Sequence, residues 1–315
     1  MADARDRIAR LLALPDGYHV LFLPGGAQLQ FSMVPMSFLA GRSAPADYVI
    51  TGSWGRKALA EARRVGEARI AATSEASGFD RIPPLEVLSE RDDAAYVHIT
   101  SNETIEGVQF HDLPVSAAPL VCDASSDLLG RPIEASRAAM IYASAQKNLG
   151  PAGVTVVILR DDFAADAARD LPTMLDYRRW IDSDSLLNTA PVYAIYMVGL
   201  VTRWIEEEIG GLEAMATRNR EKARALYDVL DASDGFYRGH ADAEFRSAMN
   251  VTFRLPSEAL ETEFVAEAAA RGLVGLKGHR SVGGIRASIY NAMPLEGVSC
   301  LCEFMEEFRA SRSEG

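Results

Sequence analysis

The chain holds 315 residues, 48% of them apolar and 24% charged, which is ordinary globular composition with length for about two domains. Its 32 basic and 44 acidic residues leave a formal net charge of −12. That balance excludes a general nucleic-acid binder, whose surface must be basic enough to displace counterions.

In chain order, residues 19–23 read as a strand, followed by Gly25-Gly26 and an apolar helix through position 39. Residues 48–51 read as a second strand and 54–65 as a helix with one charged face. Further strands are expected at 96–100, 120–122, 140–143 and 154–159. Short, nearly continuous apolar strands separated by helices predict a mostly parallel sheet covered on both faces. Residues 192–209 predict a long helix with Pro191 in its first turn and Asn188-Thr189 just before it. Gly210-Gly211 breaks it, and 212–230 form another helix, rich in Arg, Glu and Ala. A strand at 250–255, a helix at 257–271, strands at 273–276 and 284–290 and a last helix at 295–310 make a small α+β unit. The expected division is 1–210 and 211–315.

The three cysteines, Cys122, Cys300 and Cys302, give no disulfide framework, and the charged start has no apolar signal region. The longest apolar run, 192–201, is too short to span a bilayer, so the expectation is a cytoplasmic protein.

Four stretches can carry chemistry. Pro24-Gly25-Gly26-Ala27-Gln28 joins a strand to a helix, where backbone N–H groups and the helix dipole favour an anion. A Gly-Gly turn also serves simply as a turn. The spacing is neither a Walker A loop nor a dinucleotide fingerprint. Asp123 ends an apolar strand, at the sheet edge where ligands bind, and reads equally as a helix cap. Lys147 follows the run 140–143 among small residues and precedes Gly150-Pro151-Ala152-Gly153. Only three other lysines exist. Lys57 and Lys222 fall among charged residues on expected helix surfaces, and Lys277 falls in a loop. If one lysine forms a Schiff base, Lys147 is the candidate, because a desolvated amine is a nucleophile and a base. His279, Arg280 and Arg286 share a glycine-rich stretch suited to carboxylate or phosphate, or to a flexible polar turn.

Together these blocks resemble the phosphoserine aminotransferase family of class V pyridoxal-phosphate enzymes. The resemblance runs through 25–31, 101–107, 123–126, 142–155 and 278–298. It implies the type I pyridoxal-phosphate fold: a large domain with a mostly parallel mixed sheet flanked by helices, plus a smaller C-terminal α+β domain. It implies pyridoxal 5'-phosphate joined to Lys147, with Asp123 at the pyridinium nitrogen. Trp54 would stack on the ring and Thr104 would bond its phenolic oxygen. Ala27, Gln28 and Gln146 would hold the phosphate. Asn188 and Thr189 resemble a pair reaching the phosphate from the neighbouring subunit, which implies a homodimer with shared active sites. Arg286 would clamp the substrate α-carboxylate, while His279 and Arg280 would bind its phosphate or distal carboxylate.

The implied reaction moves the amino group of glutamate to 3-phosphohydroxypyruvate, giving phosphoserine and 2-oxoglutarate in serine biosynthesis. The family also serves pyridoxal-phosphate biosynthesis. Family members begin with a segment holding a Ser-x-Gly-Pro stretch and a His-Arg pair, whereas this chain opens at the following helix. Two other readings therefore stand beside it. One is a shortened homologue that binds cofactor with weak or no turnover. The other is a different class V pyridoxal-phosphate enzyme, against which His279-Arg280 argues.

Overall fold

The computed structural model describes residues 1–313. The chain begins with α1 (Ala2–Leu11), β1 (Tyr18–Leu23), α2 (Gly26–Phe38), β2 (Ala46–Ile50), α3 (Ser53–Ala62) and β3 (Ala68–Thr73). Short α4 (Glu86–Glu90) leads to β4 (Tyr96–Thr100), then to the small hairpin β5 (Asn102–Glu103) and β6 (Val108–Gln109). Next come β7 (Leu120–Asp123), β8 (Met140–Ser144), β9 (Thr155–Arg160), α5 (Asp161–Ala165) and α6 (Tyr177–Asp182). The last part holds α7 (Val192–Trp204), α8 (Leu212–Asp231), β10 (Arg238–Gly239), β11 (Asn250–Arg254), α9 (Glu258–Ala270), β12 (Ile285–Ser288) and α10 (Leu295–Ser313).

Seven strands form one sheet in the order β1-β9-β8-β7-β4-β2-β3. Only β9 runs against its neighbours, so the other six all end at the same edge. Alternation explains the apolar strands. Val20, Phe22, Ile141, Ala143, Val156 and Ile158 enter a core on one face, with residues of α1 and α7. Leu21, Leu23, Met140, Tyr142, Val157 and Leu159 enter the core on the other face, with residues of α2, α3 and α6. Both faces are covered, as near-continuous apolar strands require.

A third core joins α8, α9 and α10 to the antiparallel sheet β10-β11-β12. Phe264 contacts Tyr237, Phe253, Phe304 and Phe308 at its centre. Helix α8 serves both parts, since Leu212 and Met215 still pack in the first core.

Three expectations change. The predicted strand at 273–276 is absent: those residues form a loop, and Lys277 bridges Ile285 alone. The predicted helix 192–209 stops being α-helical at Trp204 and finishes as a π-helical turn, Ile205–Ile209. Lys222 is not solvated. It is 2% exposed, and its ammonium donates to the carbonyls of Ile289 and Tyr290 at 2.9 and 2.8 Å.

Candidate active site

The common strand edge gathers residues far apart in sequence. Beyond β1, Gly25 and Gly26 adopt left-handed φ values of 92° and 68°, which favour glycine, and start α2. Trp54 follows β2, Thr104 follows β4, Asp123 ends β7, and Gln146 and Lys147 follow β8. With Ala27, Gln28, Ser125, Ser126 and Ser144 they wall a cavity of about 320 Å³. These residues thus meet at one place, the edge where parallel strands end.

Lys147 Nζ donates to Thr104 Oγ1 at 2.6 Å. Burial holds the amine below its ordinary value, against the opposing pull of Asp123 and Glu103. Asp123 is 4% exposed, and its Oδ1 accepts from the Ser125 N–H at 3.0 Å. Burial pushes this carboxyl up, while bonds from Ser125 and the charge of Lys147 pull it back. The Ser125 hydroxyl accepts from the Ser144 N–H, and the Ser144 hydroxyl accepts from the Ala27 N–H at 2.6 Å. A chain of serines thus ties the Asp123 loop to the start of α2. Sequence reasoning did not single out Ser125 or Ser144 for this role, although both lay inside its quoted blocks.

Trp54 is half-buried, with an indole Nε1 that is shielded and has no partner. Lys57 Nζ lies 3.9 Å from the centre of its ring and Lys147 Nζ 5.8 Å. Lys57 is exposed, as the sequence predicts, but it sits against the site and not away from it.

His279 and Arg286 line a neighbouring cavity of about 540 Å³, together with Arg56, Arg254, His240 and Glu106. The charge of Arg286 depresses Lys147 and His279, which places this mouth beside the first cavity. Desolvation, followed by Arg286, Lys57 and Arg280, holds the His279 imidazole below its ordinary value. Arg280, Asn188 and Thr189 are exposed and line neither cavity.

The residues fit a flat, phosphorylated aromatic cofactor. An indole face, a buried carboxylate, a partly desolvated amine and a helix N-terminus on a glycine turn surround one space. The Thr100 hydroxyl in the same wall is buried without a partner.

Residues 1–301 match the model of the class V aminotransferase family. The phosphoserine aminotransferase of Laribacter hongkongensis is 57% identical over 98% of this chain and 85% of its own length. The solved phosphoserine aminotransferase of Bacillus circulans subsp. alkalophilus has a TM-score of 0.96 at 53% identity, covering 99% of this chain and 86% of that one. The pyridoxal-phosphate-bound phosphoserine aminotransferase of Trichomonas vaginalis has a TM-score of 0.90 at 36% identity, covering 97% and 86%.

Proposed function

The chain belongs to the class V aminotransferases and, within them, to the phosphoserine aminotransferases, and from that premise we infer how its own residues divide the work. It is a pyridoxal-phosphate-dependent transaminase with the type I fold, and it transfers the amino group of glutamate to 3-phosphohydroxypyruvate in serine biosynthesis. When bound, the cofactor supplies an electron-withdrawing ring that takes up the electron pair released at the substrate α-carbon.

Lys147 is the amine that would hold the cofactor and then move a proton at the substrate α-carbon. The observation that carries this reading is the Lys147 amine, 2.6 Å from Thr104 and within the field of buried Asp123. Burial favours the neutral amine, which is the nucleophilic form. Asp123 would keep a proton at the ring nitrogen, and Thr104 would bond the phenolic oxygen. Trp54, which lines the cavity, would cover one face of the ring. The N-terminus of α2 at Ala27 and Gln28, with Gln146, would take the phosphate. Arg286 would hold the α-carboxylate of either substrate and His279 the distal phosphate or carboxylate, with Arg280, exposed next to His279 in the same loop, turning in to join it.

The enzyme works as a homodimer. Asn188 and Thr189 lie beside Leu186, Val192, Tyr193 and Tyr196, each more than 60% exposed. A patch of that kind marks an association surface, and a second copy placed there would bring Asn188 and Thr189 to the partner's phosphate. The division we propose is a cofactor-binding unit up to residue 210 and a smaller unit after it, with Leu212 and Met215 of α8 still packed on the first. Among the described residues no helix is long and apolar enough to cross a membrane. A cytoplasmic location suits charged, phosphorylated substrates.

The test is a pair of half-reactions. Glutamate alone should bleach the visible absorption of the cofactor-loaded protein, and 3-phosphohydroxypyruvate alone should then restore it. Restoration by pyruvate or glyoxylate but not by the phosphorylated acid would overturn the substrate assignment.

A further inference from the structure

Helix α3 carries Trp54 in its first turn but has no N-cap of its own. Its preceding residue is Gly52, which has no side chain to offer. The first N–H groups are satisfied from elsewhere in the chain. Glu103 accepts from the Trp54 N–H at 3.0 Å and the Gly55 N–H at 2.8 Å. Glu106 accepts from the Ser53 N–H at 2.9 Å and from its hydroxyl at 2.6 Å.

The fit around this cap is close. A Cβ on Gly52 would lie 2.6 Å from both Glu103 Cδ and Glu106 Oε2, so a side chain there would push both carboxylates from the cap. Glu103 is fully buried and Glu106 is 5% exposed. Burial, then the neighbouring Glu106, pushes the Glu103 carboxyl up, against the pull of its two N–H donors. Between the two carboxylates, Thr104 receives Lys147. The two ends of one four-residue segment therefore hold the first turn of α3, while its middle presents a hydroxyl to the reacting amine.

We propose that Glu103 and Glu106 are positioning residues that set the Trp54 ring against the cofactor in register with Thr104 and Lys147. This rests on Trp54 being the ring-stacking residue. A helix cap attached to a downstream loop makes the indole move with that loop and not with its own strand end.

The experiment is fluorine NMR of protein grown with fluorotryptophan, with the Trp54 signal assigned by its loss in Trp54→Phe. Trp180 and Trp204 are internal controls. In cofactor-free protein, Glu106→Gln and Gly52→Ala should each shift or broaden the Trp54 signal and leave the other two in place. Glu103→Gln should do so more strongly, because an amide N–H would face backbone donors. Pyridoxal-phosphate affinity, titrated in parallel, should fall roughly tenfold, the scale of losing a cap. An unmoved Trp54 signal in all three variants would overturn the proposal, and so would equal movement of all three tryptophans. A moved Trp54 signal with unchanged affinity supports the positioning and refutes the stacking role of Trp54 instead.

Discussion

The cavity around Lys147 and the mouth around Arg286 adjoin, yet they are built differently. Walls of the first come from the ends of parallel strands, and several of its polar groups already bond one another. The second is assembled from Arg56 on α3, His240 and Arg254 of the small unit, and the loop holding His279. Arg56 and Arg254 keep about half their side chains in solvent, at 52% and 40%. A stiff, pre-bonded pocket suits a group that stays for every turnover, because preorganised dipoles need not rearrange. A looser cationic mouth suits two substrates of different length, glutamate and a phosphorylated keto acid, that enter in turn.

The sharpest way to break this division is Lys147→Ala. Loss of nucleophile and proton carrier together should lower turnover by about 10,000-fold or more, with the lysine-dependent visible absorption gone. Steady-state rates alongside absorption spectra decide it; near-normal turnover would move the chemistry elsewhere. Asp123→Ala strikes the same stiff pocket and should cost roughly 100- to 1,000-fold in kcat, as removal of one preorganised charge does. Its KM for glutamate should change little, and a pure KM effect would place Asp123 in the mouth instead.

Arg286→Ala addresses the mouth. It should raise KM for both substrates by roughly tenfold to a hundredfold, the worth of one charge-assisted contact, with cofactor binding retained. Weakened cofactor binding in this variant would erase the distinction between the two cavities.

The smallest effect lies beneath the stiff pocket. His98 is buried, bonded to the Tyr142 hydroxyl at 2.7 Å and stacked on Tyr48. Burial lowers its pKa from 6.5 to about 3. The unfolded imidazole gains its proton near 6.5 while the folded one stays neutral, so this contribution is full above 6.5 and is lost as pH falls toward 3. Thermal midpoints between pH 6.5 and 4 should therefore fall less steeply in His98→Asn than in the parent. Equal slopes would show that another group governs acid unfolding.

Much of the stiff pocket was legible in the sequence because strand ends announce themselves. Apolar runs stopping at Asp123 and Ser144 mark the sheet edge, and the lysine count narrows the amine to Lys147. The mouth was less legible. Its residues sit in loops, and His279, Arg280 and Arg286 could equally have formed a polar turn. Strand β3 was missed because it is an edge strand in which only Ala68 is buried, so its apolar pattern is weak. Lys222 was misread from its charged neighbours. Its spacing from Met215, Asn219 and Leu226 on the buried side of α8 was the better signal. The imported cap at Glu103 and Glu106 had no local signature, because capping rules look within one helix and these carboxylates stand about fifty residues downstream.

The central claim is that Lys147, among four lysines, is the one that holds the cofactor. Borohydride reduction of the pyridoxal-phosphate-loaded protein, followed by digestion and peptide mass spectrometry, fixes the cofactor wherever it was attached. The account predicts stoichiometric label on Lys147 within the Ala145-Gln146-Lys147-Asn148 stretch. Label concentrated on Lys57, Lys222 or Lys277, with Lys147 free, would contradict it.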